Sequence, residues 1–100
     1  MATTSKALFR GAASTSSTTL YTTPSATTTV VTNIAVTNTD LNDATFTLSL
    51  DDVSVATLVT VGGRDTTVID LKQVLATTKT IKGLASATTV NFHISGVEIA

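Results

Sequence analysis

Hydrophobic and polar residues alternate along most of this 100-residue chain, and the alternation is broken by short groups of turn-forming residues. The clearest case is residues 44–50, where Phe46, Leu48 and Leu50 occupy every second position and threonine or serine lies between them. A period of two is typical of a β-strand with one buried face. Residues 44–50 are therefore predicted to be a half-buried strand.

A second apolar stretch precedes this strand. Residues 27–37 place Val30, Ile34 and Val36 on one face, with further apolar residues opposite, which predicts a strand covered on both sides for part of its length. The link of residues 38–43 is rich in asparagine and aspartate, which favour turns. We expect the two strands to form an antiparallel hairpin.

The alternation continues after two further turn signals. Valines recur at alternate positions in residues 53–61, after Asp51 and Asp52, and apolar residues do so again in residues 67–71. The Gly62-Gly63 pair between them is expected to supply the positive φ of a tight turn. Successive turns at nearly regular spacing predict a meander from Thr27 to Leu71.

The remaining segments are predicted separately. Residues 70–75 have the strongest helical tendency in the chain, and their length suits one helical turn at a sheet corner. Residues 78–84 are predicted to be a short strand. Residues 88–99 form a last strand in which the apolar positions change parity near Gly96, so a bulge or bend is expected there.

The N-terminal residues differ from the rest because residues 11–19 are almost all small or hydroxylic. Residues 1–19 are predicted to be an extended arm, part of which can be a strand, and residues 20–100 one domain. The predicted fold class is all-β: a single antiparallel β-sandwich, jelly-roll-like, with this N-terminal arm.

Composition favours association with other protein subunits. Serine and threonine make up about a third of the chain, whereas charged residues are only 13% and the net charge is −1. A surface with few charges resists association weakly. Six scattered basic residues give no patch for a phosphate backbone, so we expect no nucleic-acid partner.

No residue is predicted to be catalytic, to bind a cofactor or to bind a metal. The single histidine, His93, has no nucleophile and orienting group in a recognisable motif, so a hydrogen-bonded surface role is favoured over that of a base. The aspartate pairs at 40/43 and 51/52 are separated by a strand of roughly 20 Å, and turn formation is favoured over a weak calcium site. The chain is predicted not to be an enzyme.

Two groups of residues are candidates for contact with a partner. In the arm and just beyond it, apolar and basic side chains need a surface on which to rest. Exposed turns form the second group, although a solvated turn is the favoured interpretation of Arg64 and Asp65. The arm group is Lys6, Leu8, Phe9, Arg10 and Tyr21, and the turn group is Asp51, Asp52, Arg64 and Asp65.

The chain has no basic segment followed by an apolar one at its N-terminus, and no apolar run approaches the roughly 20 residues of a membrane span. We expect a protein that is made in a cytoplasm, stays soluble and has no membrane partner.

The chain resembles small virion proteins of tailed bacteriophages. The resemblance lies in Leu20-Tyr21-Thr22-Thr23-Pro24, in residues 29–39 and 44–50, and in the closing run Val90-Asn91-Phe92-His93-Ile94-Ser95-Gly96-Val97-Glu98-Ile99. It implies a β-sandwich or jelly-roll unit that decorates or cements a capsid, or attaches to tails and fibres, as a symmetric oligomer.

The leading hypothesis is a capsid decoration or cement protein, made in the host bacterial cytoplasm and located in the virion. It is expected to bind the major capsid protein or other virion proteins as a homo-oligomer, with a trimer favoured. One alternative is a tail, neck or fibre component. Another is a carbohydrate-binding or adhesion module on the virion that uses the exposed turns.

Overall fold

The computed structural model describes residues 2–100, and eight β-strands contain most of them. No helix among these residues is long and apolar enough to cross a membrane. The strands are β1 (Thr3–Ala12), β2 (Thr18–Thr22), β3 (Thr28–Asn38), β4 (Ala44–Leu50), β5 (Val53–Val61), β6 (Thr66–Leu75), β7 (Thr80–Ala85) and β8 (Val90–Ile99).

The strands form two four-stranded antiparallel sheets. Sheet I has the order β1-β8-β3-β6 and sheet II the order β2-β7-β4-β5. Eight strands that cross between two sheets in this way are the arrangement of a jelly roll. The predicted all-β sandwich is therefore confirmed.

The predicted β3–β4 hairpin and the meander are wrong, because β3 lies in sheet I and β4 in sheet II. Both strands carry a row of large apolar side chains, and placing them in facing sheets buries both rows against each other. Ile34 and Phe46 are fully buried from opposite sides of the core. Only β4 and β5 form a hairpin between consecutive strands.

The predicted helical turn at residues 70–75 is also wrong, because this segment is the second half of β6. Asn33 is paired with Asp70, but Val31 is paired with Gln73, so β6 has an extra residue here relative to β3. This bulge interrupts the period of two and makes the local pattern appear helical. Residues 70–75 are too few to form an independent helix, so their pairing with β3 sets their conformation.

Residues 3–12 of the predicted arm form β1, which pairs with β8 from Thr3↔Ile99 to Ala12↔Asn91. β1 is therefore an edge strand of sheet I. Hydrogen bonds join Ala2 and Ala100 in both directions, at 2.9 and 3.0 Å. The remainder of the segment, residues 13–17, crosses to sheet II.

The parity change expected at Gly96 does not occur in β8, where Gly96 stays on the buried side in step with Phe92 and Ile94. The irregularities lie in the neighbouring strands instead, between Ala7 and Phe9 in β1 and between Val31 and Asn33 in β3. As a result Val31, and not Val30 as predicted, shares the buried side with Ile34. The alternation of apolar and polar residues therefore predicts the buried face of a strand correctly only as far as the next bulge.

The core between the sheets is mainly aliphatic. Phe46 and Phe92 meet edge to face with ring centroids 6.2 Å apart, a favoured geometry for aromatic rings. The other fully buried large side chains are Ile34, Leu48, Leu75, Ile81, Ile94, Val31, Val36, Val61 and Val90.

Candidate interaction surface

The apolar side chains predicted to contact a partner from the N-terminal segment lie within this chain's own sandwich. Leu8 is only 7% exposed and belongs to the core, and Phe9 packs against that core while partly buried. Tyr21 in β2 is also buried. Leu8 occupies the space beside Gly96, where an added Cβ would approach its Cδ1 atom to 2.8 Å.

Tyr21 is part of a polar cluster between the sheets at the end where Ala2 and Ala100 meet, here called the terminal end. Its hydroxyl donates to the Glu98 carboxylate and is 2.8 Å from the hydroxyl of buried Thr29. The Lys6 ammonium lies 3.5 Å from the same carboxylate. These contacts join β2 of sheet II to β1, β3 and β8 of sheet I.

The environment of Tyr21 disfavours its charged form. Burial, and then the hydrogen bond to Glu98, raises the pKa of Tyr21 from its ordinary value of 10.0 to about 12. Tyr21 therefore stays protonated throughout the neutral range and keeps donating to Glu98. The cluster holds the two sheets together at the terminal end.

Arg10 is the one residue of the predicted arm group with an exposed side chain and no core contact or ion pair among residues 2–100. It pairs across the ladder with His93 of β8, and both side chains are on the outer face of sheet I. Ala35 of β3 is the next neighbour of His93 in the same row.

The predicted turn residues Asp51 and Asp52 form the β4–β5 turn at the terminal end, and both adopt positive φ. Asp52 pairs with Lys82 at 2.8 Å and Asp51 with Lys79 at 3.6 Å, and all four side chains are at least 37% exposed. The hydrogen bond from Lys82 lowers the pKa of the Asp52 carboxyl. Exposed ion pairs of this kind contribute little to stability.

The predicted turn residues Arg64 and Asp65 lie at the opposite end, here called the Asn38 end. Buried Asn38 organises this end, because its amide donates to the Asn42 carbonyl at 2.7 Å and its Oδ1 accepts from the Asp40 N–H at 3.1 Å. Arg64, and neither Gly62 nor Gly63, adopts positive φ, so the prediction for the glycine pair is wrong. The structure places the two predicted turn contacts at opposite ends of the sandwich.

Among residues 2–100, five of the six exposed large apolar side chains belong to two edge strands, and the candidate residues did not include them; the sixth, Leu41, lies in the β3–β4 link. Edge strands β5 and β6 lie on the same side of the two stacked sheets and are joined by a four-residue turn. Val53 and Leu58 of β5 are 68% and 66% exposed, and Val68 and Val74 of β6 are 57% and 66% exposed. With Val55, which is also exposed, these residues define the β5–β6 side. They point in different directions, because Val68 and Val74 pair with Ala35 and Val30 on the outer face of sheet I, whereas Val53 pairs with Leu50 of sheet II.

The sequence carried no signal that could have identified this side. Val53 and Val74 belong to alternating runs that look like those of the buried strands, and alternation says nothing about which strand stands at an edge. The outer face of sheet II differs from the β5–β6 side in polarity, because mostly hydroxyl side chains such as Thr19, Ser49 and Thr45 line it.

Neither a ligand-sized cavity nor a group of three or more metal-ligating side chains is found among residues 2–100. No protein-family model, curated protein or solved structure matches the chain. The surface feature that calls for an explanation is the β5–β6 side, because four large apolar side chains on it are more than half exposed.

Proposed function

We propose that this chain is a non-enzymatic structural subunit of a bacteriophage particle that decorates or cements the capsid as an oligomer. The observation that carries this proposal is the β5–β6 side, where exposed valine and leucine side chains concentrate on two adjacent edge strands. In a chain with 13% charged residues, such a side is best explained as a surface covered by other subunits.

The fold and the sequence resemblance support the phage part of the proposal by analogy. Jelly rolls recur in viral capsid proteins, although the same fold also serves lectins and enzymes. The resemblance to small virion proteins favours a trimer that binds the major capsid protein. A subunit that binds only the assembled shell stabilises that shell by mass action.

The positions of the aromatic residues count against the alternative of a carbohydrate-binding module. Sugar sites generally need an exposed aromatic ring on which the sugar stacks. Phe46, Phe92 and Tyr21 are buried, and Phe9 is partly buried against the core. A glycan would find no exposed aromatic platform among residues 2–100.

The proposal is tested on particles of the phage whose genome encodes the chain. Cryo-electron microscopy of the intact particle is expected to show copies distributed over the whole shell, on the outer surface of the capsomers. A few copies at one vertex would instead assign the chain to the tail, neck or fibre, and particles without it would contradict a virion role altogether.

A further inference from the structure

We propose that two copies of this chain pack the outer face of sheet I against the same face of the other copy, about a two-fold axis that runs parallel to the strands. Such a pair deepens the proposed function by naming a partner for this face, and it depends on that function only for its biological purpose. The side chains that point outward from sheet I are here called the sheet I face.

The strand pairing of sheet I sets its outward side chains in rows that cross all four strands. One row, near the terminal end, consists of Ser5, Val97, Val30 and Val74 in the order β1, β8, β3, β6. Ile99 lies next to this row, on the same side of β8 as Val97. Val74 is 66% exposed, and the two central valines are partly buried. The sheet I face thus carries an apolar band, here called the valine row.

Two further rows lie closer to the Asn38 end. The first is polar and contains a hydrogen bond from the Asn33 amide to the Asp70 carboxylate, at 3.2 Å. The second begins with a basic side chain on β1 and ends with an apolar one on β6. The polar row is Ala7, Ser95, Asn33 and Asp70, and the second, here called the Arg10 row, is Arg10, His93, Ala35 and Val68.

Three exposed charged side chains of sheet I lie on its two edge strands and form no ion pair among residues 2–100. Arg10 is on β1, Asp70 is on β6, and Lys72 is at the bulge of β6. The other charged residues of sheet I, Lys6 and Glu98, pair with each other on the inner side of the sheet, where Glu98 also accepts from the Tyr21 hydroxyl of sheet II. The sheet I face therefore has a free guanidinium at one edge and a free carboxylate at the other.

A two-fold axis parallel to the strands, between β8 and β3, places the valine row of one copy on the valine row of the other. Such an axis exchanges the edges of the sheet, so Val97 lies over Val30 of the second copy and Val30 over Val97 of the second copy. Apolar surface that water touches in the single chain becomes buried in both copies. An uncharged row can meet itself in this way without repulsion.

The same axis places β1 of one copy over β6 of the other. Arg10 then lies one row, about 7 Å along the strand, from Asp70 of the second copy, a separation that an arginine side chain spans. Symmetry repeats this contact, so two pairs of opposite charges favour association. Lys72 meets the second copy between Ser5 and Ala7, which are uncharged.

A two-fold axis perpendicular to the strands gives a poorer match. It keeps β6 over β6 and exchanges the two ends, so when the polar row lies at the axis, Asp70 meets Asp70 of the second copy. The valine row then lies on the Arg10 row and covers polar and charged side chains with valine. The apolar residues and the charges therefore select the same orientation, with the axis parallel to the strands.

The size of the sheet I face suits a weak, reversible pair. Four strands about 4.8 Å apart and about ten residues long, with a rise of about 3.3 Å per residue, cover roughly 600 Å². Two such faces in contact bury about 1,200 Å², which is the lower limit for stable specific interfaces. Association is therefore expected to depend on concentration and to be sensitive to single substitutions.

The first experiment determines the mass of the purified chain by sedimentation equilibrium, at up to about 500 μM, where micromolar dissociation constants are measurable. The mass is expected to rise with concentration towards twice the 10.2 kDa of one chain. Val30→Thr/Val97→Thr keeps the β-branched shape at the centre of the valine row and should raise the dissociation constant at least about tenfold. A wild-type mass of one chain at every concentration would overturn the inference, and so would a mass of three chains.

The second experiment exchanges the charges of Arg10 and Asp70. Arg10→Asp and Asp70→Arg each bring like charges together twice in the pair, so each variant alone should have a dissociation constant at least about tenfold higher than the wild type. An equal mixture of the two variants should form a heterodimer with an affinity close to that of the wild type. In that heterodimer each reversed residue meets the reversed residue of the other variant, and the native Arg10 meets the native Asp70.

Thr22→Asp and Thr60→Arg are the matched controls, because they introduce the same charged residues at exposed positions of sheet II. Both should keep the wild-type dissociation constant, and circular dichroism establishes that every variant is folded. A mixture that fails to recover the affinity would overturn the proposed orientation. Charge reversals that weaken the pair no more than the controls would show that Arg10 and Asp70 do not meet and would overturn the contact.

The inference and the proposed function fail separately. A monomeric chain that still coats the shell would remove the two-fold pair and leave the decoration role intact. A two-fold dimer that is missing from the particles would leave the pair intact and remove the virion role.

Discussion

Gly63 is required for its lack of a side chain and not for an unusual backbone angle. Neither it nor Gly62 has a positive φ. A Cβ at residue 63 would lie 2.0 Å from the carbonyl oxygen of Leu41, whereas a Cβ at residue 62 would meet nothing closer than 3.5 Å. The β5–β6 turn therefore passes directly against the backbone of the β3–β4 link.

The glycine pair allows a matched stability test. Gly63→Ala should force the β5–β6 turn away from the backbone at Leu41. The free energy of unfolding should fall by about 1–3 kcal/mol, the usual cost of overpacking. Gly62→Ala should change it by less than about 1 kcal/mol, since the space and the φ angle both accept a methyl group. Urea unfolding of the two variants provides the comparison, and equal effects would contradict the close approach at Gly63.

Tyr21 offers a direct spectroscopic test because it is the only tyrosine in the chain. Its tyrosinate absorbance should appear with a midpoint near 12 in the folded protein. Glu98→Gln should lower the midpoint, because the carboxylate is one cause of the shift, but should leave it above 10, because burial is the larger cause. A wild-type midpoint at the ordinary value would show that the hydroxyl is solvated.

The same shift predicts how stability depends on pH. Above pH 10 the tyrosine of the unfolded chain loses its proton first, so the unfolded state binds fewer protons than the folded state. The free energy of unfolding should therefore decrease as the pH rises from 10 towards 12. Tyr21→Phe should remove this component of the decrease, which urea unfolding across that range would measure, and identical pH profiles for the two proteins would contradict the buried hydroxyl.

Among the elements, β1 shows why a polar N-terminal segment can be structural. Its sequence, Thr-Thr-Ser-Lys-Ala-Leu-Phe-Arg-Gly-Ala, has only one short apolar run. That run places Leu8 at a bulge opposite β8, and the side chain enters the core over Gly96. The backbone of β8 provides the remaining interactions along ten residues.

Removing β1 should therefore affect folding as well as any contact with a partner. Deletion of residues 2–12 exposes the edge of β8 and uncovers the core beneath Leu8, so we expect loss of cooperative thermal unfolding or aggregation. Leu8→Ala should lower the free energy of unfolding by about 2–4 kcal/mol, and the exposed Ser5→Ala should have little effect. An unchanged thermal transition after the deletion would mean that the segment is a free arm.

β6 illustrates the opposite error, in which an element's sequence suggested the wrong structure. Asp-Leu-Lys-Gln-Val-Leu contains good helix formers, but the run is too short to nucleate a helix alone. Pairing with β3 gives these residues their hydrogen bonds, and the bulge opposite Thr32 absorbs the break in alternation. Local propensity is overridden when a neighbouring strand offers a ladder.

At the scale of the whole molecule, the jelly roll brings distant parts of the chain together. β1 pairs with β8 and β2 pairs with β7. Contacts of such high sequence separation slow folding, because a long loop must close before they form. Refolding measured by stopped-flow dilution from urea should take place on a time scale of about milliseconds to seconds, and a microsecond phase that accounts for the whole amplitude would contradict it.

The sequence by itself determined the fold class and most of the strands. Alternating apolar positions, abundant threonine and regularly spaced turn residues are local properties, and they predict β-strands wherever the chain has an ordinary register. The terminal strand, the strand at residues 44–50 and the short strand before β8 all follow from these properties. Low charge is likewise visible in composition alone.

Only the tertiary structure decided which strands share a sheet and which stand at its edges. The same alternating pattern fits two strands of one hairpin or two strands in facing sheets, because either arrangement can bury the apolar face of each strand in a core. Leu75 and Val74 are neighbours on edge strand β6, and they differ because Leu75 faces the other sheet whereas Val74 is on the outer face. The surface available for assembly is thus a property of long-range strand order, which no local pattern encodes.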